Sequence, residues 1–416
     1  MHYIVVGAGP AGVTACETLR EQDPEGRITL VSGESEPPYA RMAIPYLLVE
    51  QIDEQGTYLR RNEGFYADQR IELAQGPVIR IDADNKQVIL ADGSVLGYDR
   101  LLLAAGATPF KPPIPGIDLP GVHNCWTMAD ARAIVLGAKP GTPVVLIGAG
   151  FIGCIILEAL VTRQVRLTVV EKAPRMVSRM MDEVAGDLLK SWCESKGVRI
   201  LTDRGVTQID AHSDGGLVVS LENGEHLSAG LVITAMGVRA NIDFLSGSGI
   251  DTEQGVLVND FFQTNQPDIF AAGDIAQGKD FSSGLDRVQA IQPTSVEHGR
   301  LAAINMTSTA TPVAHQGSLN MNILDTLGLI SSSFGHWMGV EHGEQALLLD
   351  KSRYRYLRLQ FEDEFLIGAS SLGHTQHIGV LRGLIRSRVP LGLWKSRLMQ
   401  DPTRLMEAYL GRVVTP

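Results

Sequence analysis

Two glycine triplets carry the first chemistry in this chain. Gly7, Gly9 and Gly12 stand in the run Gly7-Ala8-Gly9-Pro10-Ala11-Gly12. Gly148, Gly150 and Gly153 stand in Gly148-Ala149-Gly150-Phe151-Ile152-Gly153. In this spacing the first glycine permits a tight turn, the second lets backbone approach a pyrophosphate, and the third lets a helix pack close to a strand. The phosphates then rest on a helix N-terminus, where free N–H groups and the helix dipole favour negative charge. The spacing alone is a weak signal. Each copy here lies between an apolar, strand-like run and an apolar, helix-compatible run, which is the context the motif requires. Two such units imply two dinucleotides, and two dinucleotides on one chain imply electron traffic between them.

Carboxylates placed after the motifs sort the dinucleotides. The run Arg166-Leu167-Thr168-Val169-Val170 ends at Glu171, about 20 residues beyond the second motif. An acid there suits a ribose 2′-hydroxyl and repels a 2′-phosphate, which favours NADH over NADPH; Arg175 nearby would soften that preference. The matching run Arg27-Ile28-Thr29-Leu30-Val31 ends at Ser32, and Glu34 is the ribose candidate two positions on.

The elements that must hold these residues read as α/β. A chain of 416 residues predicts about three domains. Residues 1–110 read as β-α-β with a β-rich insertion, including the hairpin signal Asp92-Gly93. Leu101-Leu102-Leu103-Ala104-Ala105-Gly106 is a buried strand ending in small residues, and Leu231-Val232-Ile233-Thr234-Ala235-Met236-Gly237 repeats that pattern. The five prolines of residues 109–120 suggest a crossover. A helix is expected from about residue 294 to 305, a boundary at 307–312, strands at 354–361 and 365–369, and helices after 377. The net charge of −11 argues against nucleic acid and anionic membrane surfaces as general partners. The early first strand leaves no room for a signal peptide, and no apolar run has membrane-spanning length, so a cytoplasmic protein without membrane insertion is expected. Cys16, Cys125, Cys154 and Cys193 show no CxxC spacing, which argues against a zinc site or a vicinal redox pair. No metal site is expected.

On these motifs the chain resembles the FAD-dependent pyridine nucleotide-disulfide oxidoreductases, among them ferredoxin and rubredoxin reductases, nitrite reductase flavin modules, NADH oxidases and coenzyme A-disulfide reductases. The run Thr264-Asn265-Gln266-Pro267-Asp268-Ile269-Phe270-Ala271-Ala272-Gly273-Asp274 is similar to the family's second FAD signature. The resemblance implies two Rossmann-like domains and a C-terminal α+β domain. FAD would occupy residues 1–115 with 245–310, and NADH would occupy 116–244. Residues 313–416 would form an interface domain, which builds a homodimer in several members. It implies FAD contacts from Gly7, Gly9, Pro10, Ala11, Gly12, Glu34 and Asp274, with Val78 at the adenine and Ala104 and Gly106 in a turn. Pro293 and Thr294 would begin a helix aimed at the flavin, where free N–H groups stabilise charge developing on reduction. Gly148, Gly150, Gly153, Glu171 and Gly237 match the nicotinamide-dinucleotide side.

Three departures from the family pattern are informative. Where the thiol-dependent branch resembles Cys-x-x-Pro-Tyr, this chain reads Met42-Ala43-Ile44-Pro45-Tyr46. A thioether forms no thiolate, sulfenic acid or mixed disulfide, so Met42 and Pro45 are expected only to shape the flavin's surroundings. The family's Gly-x-Glu is Gly153-Cys154-Ile155, with Glu158 a turn later either as a substitute or facing solvent. Trp126 stands where the family often has an arginine, and Arg41 is the candidate to supply that charge at the FAD pyrophosphate.

The resemblance thus implies an NADH:acceptor flavoprotein delivering electrons to a ferredoxin, a rubredoxin or a similar partner, with no side chain as acid, base or nucleophile. Two alternatives stay open: an NADH oxidase or small-molecule reductase with an open flavin, and an FAD-binding assembly subunit with a weakened NADH site. A basic excess at 381–412 would steer an acidic carrier protein.

Overall fold

The computed structural model describes residues 1–213, 215–307 and 311–414. The chain forms two compact units. The first comprises Met1–Pro109, Val238–Asp280 and Gly284–Ser318. The second comprises Phe110–Gly237, Phe281–Ser283 and Leu319–Pro416. The boundary expected at 307–312 falls largely on residues 308–310, which lie outside the described residues.

The first unit is built on a five-stranded parallel sheet. Its order is Ile269–Ala271, Arg100–Leu103, His2–Val6, Arg27–Ser32, Ile71–Gln75. The glycine-motif strand is central: Tyr3 pairs with Ile28 on one side and Arg100 on the other. The chain therefore leaves this strand toward one edge and returns on the opposite side. A crevice opens at the carboxyl ends where such an order reverses, the place where open α/β sheets hold ligands. All four strand residues 3–6 are buried, as expected for a sheet covered on both faces. Helix Pro10–Gln22 packs on helix Gln292–Thr307 across a glycine: a Cβ at Gly299 would lie 2.2 Å from the Ala11 carbonyl oxygen.

The second unit repeats this plan. Its parallel order is Arg199–Leu201, Arg166–Val170, Pro143–Ile147, Leu231–Thr234, Val122–Asn124. Again the glycine-motif strand is central, with Val144 between Leu167 and Leu231. Each unit also carries a three-stranded antiparallel sheet, at Val78–Gly97 and Val206–Ala229 respectively, and Asp92-Gly93 turns the first of these as its composition predicts. The copies differ in the fifth strand. It comes late in the first unit, at Ile269–Ala271, and early in the second, at Val122–Asn124. Also in the second unit, a five-stranded antiparallel sheet spans Met321–Leu372. Helices Ile378–Ser387, Leu393–Gln400 and Leu405–Tyr409 close over a core containing Phe334, Leu357, Leu359 and Phe361.

One buried polar cluster in the first unit has a consequence for stability. His298 is 5% exposed, its Nε2 lies 2.7 Å from Ser318 Oγ, and its ring sits 4.6 Å from Phe262 and 5.3 Å from His315. Burial, with His315 adjacent, holds its imidazole down to about 3. Unfolding frees this ring to take up a proton below about pH 6.5, so the site withdraws stability as pH falls, by about 2 kcal/mol at pH 5. His298→Gln removes the titration. The melting temperature of the wild type is expected to drop more steeply than that of the variant between pH 7 and pH 5, and parallel curves would show that His298 carries no linkage.

Candidate functional site

The two glycine motifs are the same object down to single atoms. In the first, Gly7 N–H donates to the Val31 carbonyl at 2.9 Å, and Ala104 N–H donates to the Val6 carbonyl at 2.8 Å. In the second, Gly148 N–H donates to Val170 at 2.8 Å, and Ala235 N–H donates to Ile147 at 2.7 Å. A Cβ on Gly7 would lie 2.2 Å from the Ala104 carbonyl oxygen, and one on Gly148 would lie 2.4 Å from that of Ala235. Gly7 and Gly148 also hold φ of +114° and +106°, where a side chain is strained. A Cβ on Gly12 or Gly153 would lie 1.9 or 2.1 Å from the carbonyl oxygen of the first glycine in its motif. The small residues ending the later strands are thus the other half of the glycine turn.

The middle glycines behave oppositely. A Cβ on Gly9 or Gly150 meets nothing within 4 Å. Each begins a helix, Pro10–Gln22 or Phe151–Thr162, and neither helix has a side-chain cap at its N-terminus. Two other helices of the second unit are capped: Thr127 and Asp130 form a capping box, and Asp182 accepts from Ala185 N–H. Free N–H groups therefore face open space beside a glycine in both motifs, which is the arrangement that holds a phosphate.

Around the first motif the structure gathers several of the expected residues. Ser32 turns the chain through a hydrogen bond to the Glu34 carbonyl at 2.9 Å. The Glu34 carboxylate accepts from Tyr39 OH at 2.7 Å and from Arg41 at 2.6 Å. Arg41 is thus partnered with the ribose candidate, and it also lies near enough to Asp274 to pull that carboxyl downward. Burial dominates at Asp274 and raises it, while Ser295 Oγ donates to it at 2.7 Å. Ser295 lies in the first turn of helix Gln292–Thr307, with Pro293 exposed and Thr294 buried beside it. Met42 lies on a short 3-10 turn with 44% exposure, and Pro45 is the second residue of the next helix, Ile44–Leu48. A Cβ at Gly106 would also point into open space. Val78 opens the antiparallel strand Val78–Asp82, opposite Leu90. Tyr39 and Ser295 were not singled out in the sequence. Tyr39 lies two residues before Arg41, and Ser295 follows Thr294, so local proximity was the available signal.

Around the second motif, Glu171 ends its strand and accepts from Ala149 N–H at 2.6 Å and Ala173 N–H at 2.7 Å. An ionised carboxylate has about four acceptor sites, so two remain for hydroxyls. Arg175 donates to the Met181 carbonyl at 3.0 Å and reaches that of Ser178 at 3.5 Å, which occupies its guanidinium locally. Glu158, a turn beyond the motif, is partly buried. Its carboxylate accepts from Leu327 N–H at 3.3 Å, and burial with Asp325 beside it raises its carboxyl. Trp192 donates to the carbonyls of Thr326 and Leu327 at 3.2 Å, so the same hairpin tip is held from two helices. Gly237 follows the later strand, and a Cβ there would face open space. Trp126 precedes the capping box, its backbone N–H donating to Asp130 at 3.2 Å.

The thiols are held in their neutral form. Cys16, Cys154 and Cys193 are buried. Burial pushes the Cys16 and Cys154 thiols up, and those of Cys125 and Cys193 up to about 12. Among the described residues, no group of three or more His, Cys, Asp or Glu side chains is gathered in a way that would hold a metal, and no helix is long and apolar enough to cross a membrane.

Two phosphate cradles on two switch-point sheets define a two-dinucleotide flavoprotein of Rossmann-like architecture. Comparison with known proteins agrees. The sequence profile described as pyridine nucleotide-disulphide oxidoreductase matches residues 1–299, and the chain belongs to that family. It is 31% identical over 402 residues to the NADH-dependent phenylglyoxylate dehydrogenase subunit epsilon of Aromatoleum evansii, covering 96% of this chain and 95% of that one. It is 27% identical to the rubredoxin-NAD(+) reductase of Ectopseudomonas oleovorans, covering 93% and 99%. The reductase of a covalent putidaredoxin reductase–putidaredoxin complex shares the fold, with a TM-score of 0.89 at 24% identity, covering 99% and 98%. The protein is a flavoprotein oxidoreductase that uses FAD and a nicotinamide dinucleotide. Its residues fit both groups: each motif offers an uncapped helix N-terminus and a middle glycine open to a ligand.

The contrast between glycines gives a sharp expectation. Gly9→Val should fold, since its Cβ meets no protein atom, and should lose bound FAD. Gly150→Val should keep FAD and lose NADH binding. Gly12→Val should fail to fold, because its Cβ would collide with backbone. Flavin absorbance, melting temperature and NADH titration separate the three, and a yellow, NADH-reducible Gly9→Val protein would contradict the assignment.

Proposed function

We propose that the protein is an NADH:acceptor reductase that passes electrons from NADH through FAD to a protein redox partner without a thiol relay. One observation carries this reading: the position of the family's reactive cysteine is Met42, and every cysteine in the chain has its thiol pushed up by burial. When bound, the flavin accepts hydride from NADH and releases the electrons to the acceptor. The chain's own residues bind and orient. The N–H groups at Gly9 and Gly150 hold the two pyrophosphates, Glu34 and Glu171 hold the riboses, and Asp274 meets the ribityl–phosphate region. The N-terminus of helix Gln292–Thr307 supplies positive potential to the flavin ring. Arg41 neutralises Glu34 and lowers the cost of a carboxylate beside the pyrophosphate. The acceptor class is supported by relatives whose names specify rubredoxin reduction.

A second reading is favoured by one finding. The relative matched over 95% of its own length is a subunit of an NADH-dependent dehydrogenase. In that reading the acceptor is a permanent partner subunit. Gel filtration of the native protein from its own cell extract separates the two: a stable complex supports the subunit, and a free flavoprotein supports the diffusing carrier.

Glu171 and the occupied Arg175 together set the nucleotide preference. Anaerobic stopped-flow reduction is expected to run at least about tenfold faster with NADH than with NADPH at equal subsaturating concentration, and Glu171→Ala should narrow that ratio through loss of a charged hydrogen bond worth about 1.5–3 kcal/mol. Equal rates with the two nucleotides in the wild type would remove the role given to Glu171.

A further inference from the structure

The C-terminal helices concentrate a charge that the rest of the chain lacks. Residues 378–412 hold seven basic side chains, Arg382, Arg386, Arg388, Lys395, Arg397, Arg404 and Arg412, against Asp401 and Glu407. That segment carries +5, so the remainder of this −11 chain carries −16. Lys395 is paired with Glu344 and Arg404 with Glu407. Arg382, Arg386, Arg388 and Arg397 have no carboxylate partner among the described residues.

Three of these arginines, Arg386, Arg388 and Arg397, lie over aromatic rings. The guanidiniums of Arg386 and Arg388 lie 5.8 and 4.9 Å from the Phe281 ring, and Arg388 donates to the Phe281 carbonyl at 3.1 Å. Arg397 and Arg404 lie 4.5 and 5.4 Å from the Trp394 ring. A guanidinium held on a ring keeps its donors free and loses less entropy when it meets a carboxylate. In the same segment Leu393 is 78% exposed, with Met399 and Leu410 also exposed. Arginine and apolar or aromatic side chains without acids are the composition that carries binding energy at protein interfaces.

We propose that the helical segment 378–412 is a docking surface for an acidic protein that accepts the electrons. This rests on the reading that a protein takes electrons from the flavin. Charge complementarity selects the occupant: an unpaired basic surface on an otherwise acidic chain attracts an acidic partner and turns it toward this one face. An anionic membrane fits less well. The apolar faces of these helices are spent inside the protein, with Leu381, Leu384, Ile385, Leu398, Leu405 and Ala408 buried in one core. A membrane-surface helix needs that face outward, and the −16 of the remaining chain opposes approach to anionic lipid.

The test uses the full holoprotein and the double variant Arg382→Glu/Arg397→Glu, both at exposed positions outside the cofactor motifs. NADH-driven turnover is measured with ferricyanide, with an acidic [2Fe–2S] ferredoxin and with an acidic rubredoxin, across a salt series. The expected result is unchanged ferricyanide turnover and at least a tenfold loss of kcat/KM for whichever protein is reduced. The loss should fall mainly on KM, with a flatter salt dependence. Arg382→Gln/Arg397→Gln should show a smaller loss in the same direction, which keeps the test intact if the reversal variant folds poorly. A wild type that reduces a protein acceptor and a variant that does so equally well would overturn the surface and leave the reading standing. A wild type that reduces ferricyanide and neither protein at any salt would overturn the reading and the surface together. Co-sedimentation of the wild type with phosphatidylglycerol vesicles, lost in the variant, would assign the patch to a membrane and overturn the proposal.

Discussion

Everything in this molecule depends on how closely two pieces of backbone approach at the end of a parallel strand. At Gly7 the missing Cβ is replaced by the carbonyl of Ala104, and at Gly148 by that of Ala235. Both contacts leave no room for a methyl group, and both occur beside the central strand of a switch-point sheet. The approach aims the following helix so that its uncapped N-terminus faces outward beside a middle glycine. Any side chain there forces the strand exit and the helix apart, and the cradle is lost with them. The constraint is met twice, so the chain holds two anionic ligands by one geometric device.

This explains why so much was legible in the sequence. The glycine spacing, the apolar strand runs and the small residues Ala104, Ala105, Gly106, Ala235 and Gly237 are local records of that contact, and they are visible as residue types. The expected helix near 294–305 is present as Gln292–Thr307, and the strands near 354 and 365 are Arg355–Glu362 and Phe365–Leu372. What was hidden is the partner that each long charged side chain meets. Glu158 stands a turn beyond the second glycine motif, and its carboxylate meets a hairpin tip 169 positions away. Arg41 is the candidate for the charge at the FAD pyrophosphate, and the fold pairs it with Glu34. Arg175 read as a possible phosphate partner, and backbone carbonyls engage it. Spacing records backbone geometry, whereas the fate of a long charged side chain is set by what folds against it.

The same distinction bears on the chemistry. A thiol relay needs a cysteine whose thiolate is accessible near neutral pH. Here the position is a partly exposed methionine, and the cysteines that exist are driven toward the neutral thiol. In the proposed function the protein's contribution is electrostatic and positional: helix termini for phosphates, carboxylates for riboses, and an arginine–glutamate pair beside the flavin site. The surplus of positive charge sits instead on the C-terminal helices, the surface proposed for recognition.

The central claim is that the bound flavin is the one redox centre of this chain. Counting electrons tests it most directly. An anaerobic titration of the holoprotein with NADH, followed by flavin absorbance, is expected to reach its end point at about one equivalent per FAD. The long-wavelength thiolate-to-flavin charge-transfer band should be absent throughout. An end point near two equivalents, with that band appearing midway, would reveal a second two-electron centre and contradict the account.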